Sequence, residues 1–166
     1  MFWVFQIVRH YDRVLRELHS EHVSALPALA RMAERLEQAV GPIDIVFGHN
    51  DMLPGNLLDD GEQLWLVDWE YAGFNSPLFD IGGLASNSGA SLEAAEHMLE
   101  LYVERRVDRD LRRRMAAMTA ASLLRETLWS MVSEQTSRID FDYSAYTSDN
   151  LKRFKAAYAT FEDMPT

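Results

Sequence analysis

Apolar residues recur at helical spacing from the start of the chain. Val4, Ile7, Val8, Tyr11, Leu15 and Leu18 fall on one side of a 3.6-residue repeat and predict a helix over residues 3–19. Leu29, Met32, Ala33, Leu36 and Val40 do the same over residues 25–40, where Gly41-Pro42 stops the second helix. The period then changes. Ile43–Phe47 is too short and too rich in branched side chains for a helix and reads as a strand. Asn56–Leu58 and Leu64–Val67 are short apolar runs on either side of Asp59-Asp60-Gly61, a hairpin signal. Residues 70–77, with Gly73, Asn75, Ser76 and Pro77, read as irregular. Helical spacing returns over 80–87, 92–106, 109–135 and 148–162, with Ser91 and Ser148 placed to start two of these helices. The expected fold class is α+β, mainly α: one helical domain over residues 1–166 that carries a small hairpin.

Composition narrows the classes of function. A chain of 166 residues with 48% hydrophobic and 25% charged side chains is an ordinary globular domain with room for a core. A formal charge of −10 argues against nucleic acid as a partner, because nothing here neutralises a run of phosphates. The same charge suits a cationic substrate, and solubility explains it equally well. Without cysteine there are no disulfides or thiolate metal sites. The opening MFWVFQIV is only eight residues long and is followed at once by His10, Asp12 and Arg13, which does not fit a signal peptide. No run approaches the length of a membrane span, so no membrane partner is expected and the expected location is cytoplasmic.

The candidate chemistry lies in FGHNDMLPGNLLDD, residues 47–60. His49, Asp51 and Asn56 follow one another there, and Asp68 closes the second hairpin strand. A hairpin can set Asn56, at its beginning, beside Asp68, at its end. Mg²⁺ takes such oxygen ligands, usually one or two carboxylates with an amide oxygen, water and substrate phosphate. Asp51 remains free on the loop to meet a substrate hydroxyl, and Pro54-Gly55 lets the backbone turn tightly between them. That is the set of parts phosphoryl transfer uses. Taken singly, Asn50, Asp59 and Asp60 read as turn formers. The ordered His-x-Asp-x-x-x-x-Asn followed by a strand-borne Asp is harder to obtain from turn chemistry.

On a helical wheel of residues 109–135, Ala117, Ala121, Leu124, Leu128 and Met131 form one stripe, with Ser122, Glu126, Trp129 and Ser133 opposite. Trp129 with Glu126 one turn before it can seat a quaternary ammonium, each such ring contributing about 0.5–2 kcal/mol. The wheel alone equally allows Trp129 to pack under a neighbouring helix.

HNDMLPGN resembles the catalytic loop of the choline/ethanolamine kinase and aminoglycoside phosphotransferase group, relatives of protein kinases, and LVDWEYAGFNSPLFDIG resembles the metal-binding segment of its choline kinase branch. The resemblance implies Asp51 as catalytic base, Asn56 and Asp68 as holders of Mg²⁺, and ATP as phosphate donor. It implies that His49 supports the loop and that a buried Asp80 braces it by hydrogen bonds. It also favours the cation seat: Trp129 matches the second of two cage tryptophans, Tyr71 a ring beside the metal segment, and Phe141 and Tyr146 the later aromatics. Glu126 stands where the first tryptophan would be, and Asn87 near where some members carry an acidic contact, which leaves choline, a smaller amine or another alcohol open as substrate.

The chain has no G-x-G-x-x-G, and its only lysines are Lys152 and Lys155. Set against the resemblance, it reads as the C-terminal lobe of a two-lobed kinase without the N-terminal nucleotide lobe. Little or no activity is expected of it alone, with MFWVFQIV exposed for self-association or for docking of the other lobe. The alternatives are an aminoglycoside or other small-alcohol phosphotransferase and a non-catalytic remnant of the family. A metal-dependent phosphate-ester hydrolase fits less well, because only one histidine lies near the carboxylates.

Overall fold

The computed structural model describes residues 1–165. Helices α1 (Val4–Glu17) and α2 (Leu26–Val40) open the chain, followed by strands β1 (Val46–Gly48), β2 (Leu57–Asp59), β3 (Leu64–Leu66) and β4 (Gly73–Asn75). Helices α3 (Pro77–Asn87), α4 (Leu92–Val103), α5 (Arg109–Thr136) and α6 (Tyr143–Glu162) complete it. The α+β, mainly helical class is the observed one.

Helix α5 is the axis on which the others pack, meeting α1, α2, α3 and α6. Its sequence explains how. Ala117, Ala120 and Ala121 are fully buried beside Met118 and Leu124, so small side chains let neighbouring backbones come close on more than one side. The single stripe drawn on the wheel is therefore too narrow, because α5 is covered on several faces. Gly82 of α3 marks the closest approach: a Cβ there would lie 3.0 Å from the backbone nitrogen of Thr119.

The strands form two separate antiparallel pairs. Leu57 faces Leu66 and Asp59 faces Leu64 in the β2–β3 hairpin, a residue away from the expected limits. β1 pairs with β4, Val46 opposite Asn75 and Gly48 opposite Gly73. The segment 70–77 was expected to be irregular, and β4 within it is a correction. Three residues bounded by turn formers show no alternation, and their partner lies far back in the chain.

Helix limits also differ where caps decide them. Ser76 accepts from Leu78 N–H and Pro77 takes the first position of α3, which starts three residues early. α4 does begin behind Ser91, which accepts from Ala94 N–H at 3.1 Å. It ends at Val103, because Glu104 turns left-handed with φ 53°. α6 begins at Tyr143 rather than 148, since Asp142 accepts from Ala145 N–H at 2.9 Å and leaves Ser148 inside the helix.

The opening run is not the exposed surface that was expected. Val4 and Phe5 are completely buried, and Trp3 donates through Nε1 to Glu37 at 2.8 Å. Phe2 N–H bonds the carbonyl of Phe74 at 2.8 Å, which stitches the start of the chain to β4. Among the apolar side chains left open to solvent, Phe47, Trp65, Trp69 and Phe74 flank the candidate loop. Among the described residues, no helix is long and apolar enough to cross a membrane.

Gly82→Ala should destabilise the fold by about 1–3 kcal/mol in urea unfolding, because the new methyl meets the α5 backbone at Thr119 as well as its Oγ1, and the backbone cannot swing aside.

Candidate active site

The loop leaves β1 at Gly48 and is gripped at once. The Asp80 carboxylate, in the first turn of α3, accepts from the peptide N–H of His49 and of Asn50, at 2.7 Å each. Burial pushes the Asp80 carboxyl above its usual range, and the two N–H bonds and the neighbouring His49 oppose that rise. Asp80 is half-buried, not enclosed as expected. Gly48 is needed beside it, because a Cβ at this position would sit 2.7 Å from Asp80 Oδ2.

His49 is 2% exposed, and its Nε2 lies 2.8 Å from the carbonyl of Val67. A carbonyl only accepts, so Nε2 carries the proton and ties the loop to the segment that leads into Asp68. Asn50 does more than form a turn. It takes a left-handed φ of 65°, is buried, and donates to the carbonyls of Tyr71 (3.0 Å) and Gly73 (3.2 Å). Its Oδ1 accepts from Asn75 at 3.0 Å. A local reading of an asparagine in a turn gives no sign of partners more than twenty residues away.

Asp51 emerges from this frame partly exposed. Pro54–Asn56 forms a 3-10 turn, and the side-chain amide of Asn56 donates back to the Asp51 carbonyl at 3.0 Å. That bond fixes the NH₂ end inward and leaves the amide oxygen as the free donor atom. Val67 N–H bonds the Asn56 carbonyl at 3.0 Å, so hairpin pairing continues to the residue before Asp68. Asp68 is exposed and holds φ 63°, a conformation that costs a non-glycine residue on the order of 1–3 kcal/mol. The donors present are oxygens, with His49 turned away to Val67, and such a set fits Mg²⁺ rather than a softer metal.

The third element is α5. Arg125 was not among the expected site residues, yet it is only 7% exposed. Its Nη1 lies 2.9 Å from Glu126 Oε2 and 3.5 Å from Asp51 Oδ1. Its guanidinium lies 5.2 Å from the ring centroid of Tyr71 and 5.9 Å from that of Phe2. The available signal was an Arg-Glu pair inside the stretch of α5 from Met115 to Val132 that carries no other charge.

Glu126 is placed beside the aromatics as expected, but its charge is not free. Tyr146 donates to Oε1 at 2.8 Å and Arg125 holds Oε2. Trp129 meets Tyr146 at 6.4 Å and Tyr143 at 6.0 Å, and Phe141 meets the same two tyrosines at 5.6 and 5.0 Å, all edge to face. Tyr143 was absent from the expected set. Tyr71 stands apart from this cluster, its face turned to Arg125. Tyr11 of α1 lies in the field of Arg125, Tyr71 and Glu126, and burial raises its phenol. A cavity of about 480 Å³ opens elsewhere, among Ala85, Leu92, Leu99, Met115 and Thr160, and holds none of these groups.

Comparison with known proteins gives the family and the fold. The family model described as choline/ethanolamine kinase matches residues 3–97. Protein LicA of Haemophilus influenzae is 28% identical over 173 residues, covering 99% of this chain and 49% of that protein. Ethanolamine kinase 2 of Mus musculus is 31% identical over 139 residues, covering 71% of this chain and 35% of that protein. A crystal structure of a choline/ethanolamine kinase family protein from Mesorhizobium loti superposes with a TM-score of 0.85 at 28% identity, over 94% of this chain and 54% of that one. The chain thus spans about half the LicA protein and about a third of the mouse enzyme. Its mainly helical fold with small sheets is that of the C-terminal lobe of such structures.

Two outcomes follow from the hydrogen bonds. Gly48→Ala should cost about 1–3 kcal/mol and speed amide exchange at His49 and Asn50, since the methyl displaces the carboxylate that holds both. Burial, the Glu126 charge and the hydrogen bond to it push the Tyr146 phenol up to about 12. Because the folded value exceeds the ordinary tyrosine value of 10.0, this contribution to stability is complete below about pH 10 and lost as pH rises toward 12. Glu126→Gln should therefore bring one tyrosine titration, absent in Tyr146→Phe, down toward its ordinary value in ultraviolet absorbance.

Proposed function

The chain belongs to the choline/ethanolamine kinase family, and we propose that it carries the alcohol-binding and catalytic-loop half of a transferase that moves the γ-phosphate of ATP to the hydroxyl of a small amino alcohol of the choline or ethanolamine class. One observation supports this most. Asp51 is presented from a loop whose flanking peptide groups are held by Asp80 and whose next turn fixes Asn56, with Asp68 at the adjoining end of the hairpin.

On this reading Asp51 accepts the proton of the substrate hydroxyl as the oxygen attacks phosphorus. Asn56, through Oδ1, and Asp68, through its carboxylate, would hold Mg²⁺, which when bound supplies charge neutralisation to the phosphates. His49 and Asp80 keep the loop in place and touch no substrate. Trp129, Phe141, Tyr143 and Tyr146 receive the ammonium by their ring faces. Glu126, already balanced by Arg125, adds little net charge there.

This half supplies no glycine-rich phosphate loop and no lysine before Lys152. Phosphate positioning carries much of the catalysis in such reactions, so turnover by this chain alone is proposed to be low. The second reading is a family member that binds its alcohol without turning it over.

Phosphate transfer from ATP is to be assayed with choline, ethanolamine and an aminoglycoside, alongside choline titration of Trp129 fluorescence. Transfer to choline or ethanolamine, lowered at least about 100-fold in Asp51→Asn with the melting temperature little changed, supports the kinase reading. Slow transfer above the enzyme-free rate accords with the kinase reading, choline binding with no transfer above that rate selects the non-catalytic reading, and transfer only to the aminoglycoside or neither signal overturns the amino-alcohol assignment.

A further inference from the structure

We propose that Arg125 is a positioning residue: one buried guanidinium clamps Asp51 to Glu126, and so fixes the base on the loop relative to the ammonium-facing wall on α5. The role in the reaction rests on the kinase reading above, while the clamp itself does not.

Three observations carry it. The first is charge. Asp51 and Glu126 are both largely sheltered, with side chains 16% and 18% exposed, and both face the single cation of Arg125, at 3.5 and 2.9 Å. Two carboxylates in such a space repel each other unless a cation lies between them. The second is immobility. Arg125 is 7% exposed, with Tyr71 and Phe2 against its guanidinium, so it has little freedom to turn to solvent. The third is connectivity. Glu126 also accepts from Tyr146, whose ring meets Trp129 and Phe141. Asp51, Arg125, Glu126 and Tyr146 therefore form a continuous polar path from the loop to the aromatic cluster. Tyr71 lies close behind Asp68 in sequence and Phe2 bonds to β4, so the cation is gripped by the same segments that frame the loop.

Proximity of a hydroxyl to its base decides rate steeply, and a shift of about 1 Å costs on the order of 100-fold. Both carboxylates lie on one nitrogen, Nη1, so what the clamp uses is a permanent charge on a flat head that fits between the Tyr71 and Phe2 rings, where lysine offers only a strongly hydrated point charge.

The test has two arms. In the first, melting temperatures of wild type, Arg125→Met, Asp51→Asn and the double variant form a cycle. Arg125→Met is expected to lower the melting temperature by about 5 °C or more, because it strands two sheltered carboxylates. Adding Asp51→Asn should recover part of that loss, although it does not stabilise the wild type. If Asp51→Asn shifts both backgrounds equally, the clamp is wrong. Arg125→Gln takes the place of Arg125→Met in the cycle if the latter does not fold.

In the second arm, steady-state transfer to the best alcohol is measured. Arg125→Gln is expected to lower kcat at least tenfold with KM for the alcohol within threefold, and Arg125→Lys to restore part of kcat. Unchanged kcat, or equal loss through KM alone, overturns the positioning role. Coupling in the first arm together with no transfer to any alcohol defeats the kinase reading, and the positioning role with it, while the clamp stands.

Discussion

The Asp80 carboxylate holding the peptide groups of His49 and Asn50 is the contact on which the site depends. Those two N–H groups lie where the chain leaves β1 and turns left-handed at Asn50, so no regular ladder can satisfy them. A side chain has to, and it must come from a rigid element. Asp80 stands in the first turn of α3, where the helix dipole favours a negative charge. α3 in turn is seated on α5 by the missing side chain of Gly82. At its other end Asn87 donates to the carbonyl of Met52 at 3.1 Å. One short helix thus grips the loop on both sides of Asp51. The sharp local geometry of the loop is set by helix packing well away from it.

Electrostatics gives the same region its second constraint. The chain has ten more formal negative charges than positive, and around Asp51 that surplus has to be managed. Asp80 is met by peptide dipoles, Asp51 and Glu126 share the one cation of Arg125, and among the described residues no cation lies against the exposed Asp68. The carboxylate left uncompensated is the one read as a metal ligand, where a divalent cation would supply the balance. The left-handed backbone of Asp68 points the same way, because strain of that kind persists only where the surroundings hold it.

Much of this could be read from the chain and some could not, for identifiable reasons. Helices α1, α2 and α5 were legible to within a few residues because their apolar residues recur over several turns, although for α5 the stripe missed the further faces that its neighbours cover. The β2–β3 hairpin was legible because Asp59-Asp60-Gly61 is a local signal. β4 and the start of α6 were not, since one depends on a distant partner and the other on which of two caps wins. The same division runs through the site. His49, Asp51, Asn56 and Asp68 are close in sequence and could be picked out by order and spacing. Arg125, Tyr143 and the hub role of Asn50 arise only when α5, α6 and β4 are brought against the loop. The mistaken exposure of MFWVFQIV has the same origin: an apolar run shows that something covers it without showing whether the cover is α5 of the same chain.

The division has a physical consequence for how such a site tolerates change. On the proposed reading, the groups that would act on phosphate are set by short-range geometry, a 3-10 turn and a hairpin, and remain together as long as those few residues do. The groups proposed to meet the alcohol sit on α5, on α6 and just before it, and Arg125, Glu126 and Tyr146 link them to the loop. A substitution on α5 can therefore alter which alcohol is accepted without disturbing the phosphate-handling loop, provided the guanidinium stays. Glu126, standing where the family resemblance places a tryptophan, is a change of this kind: it exchanges a ring for a carboxylate and finds its counter-charge in the adjacent residue.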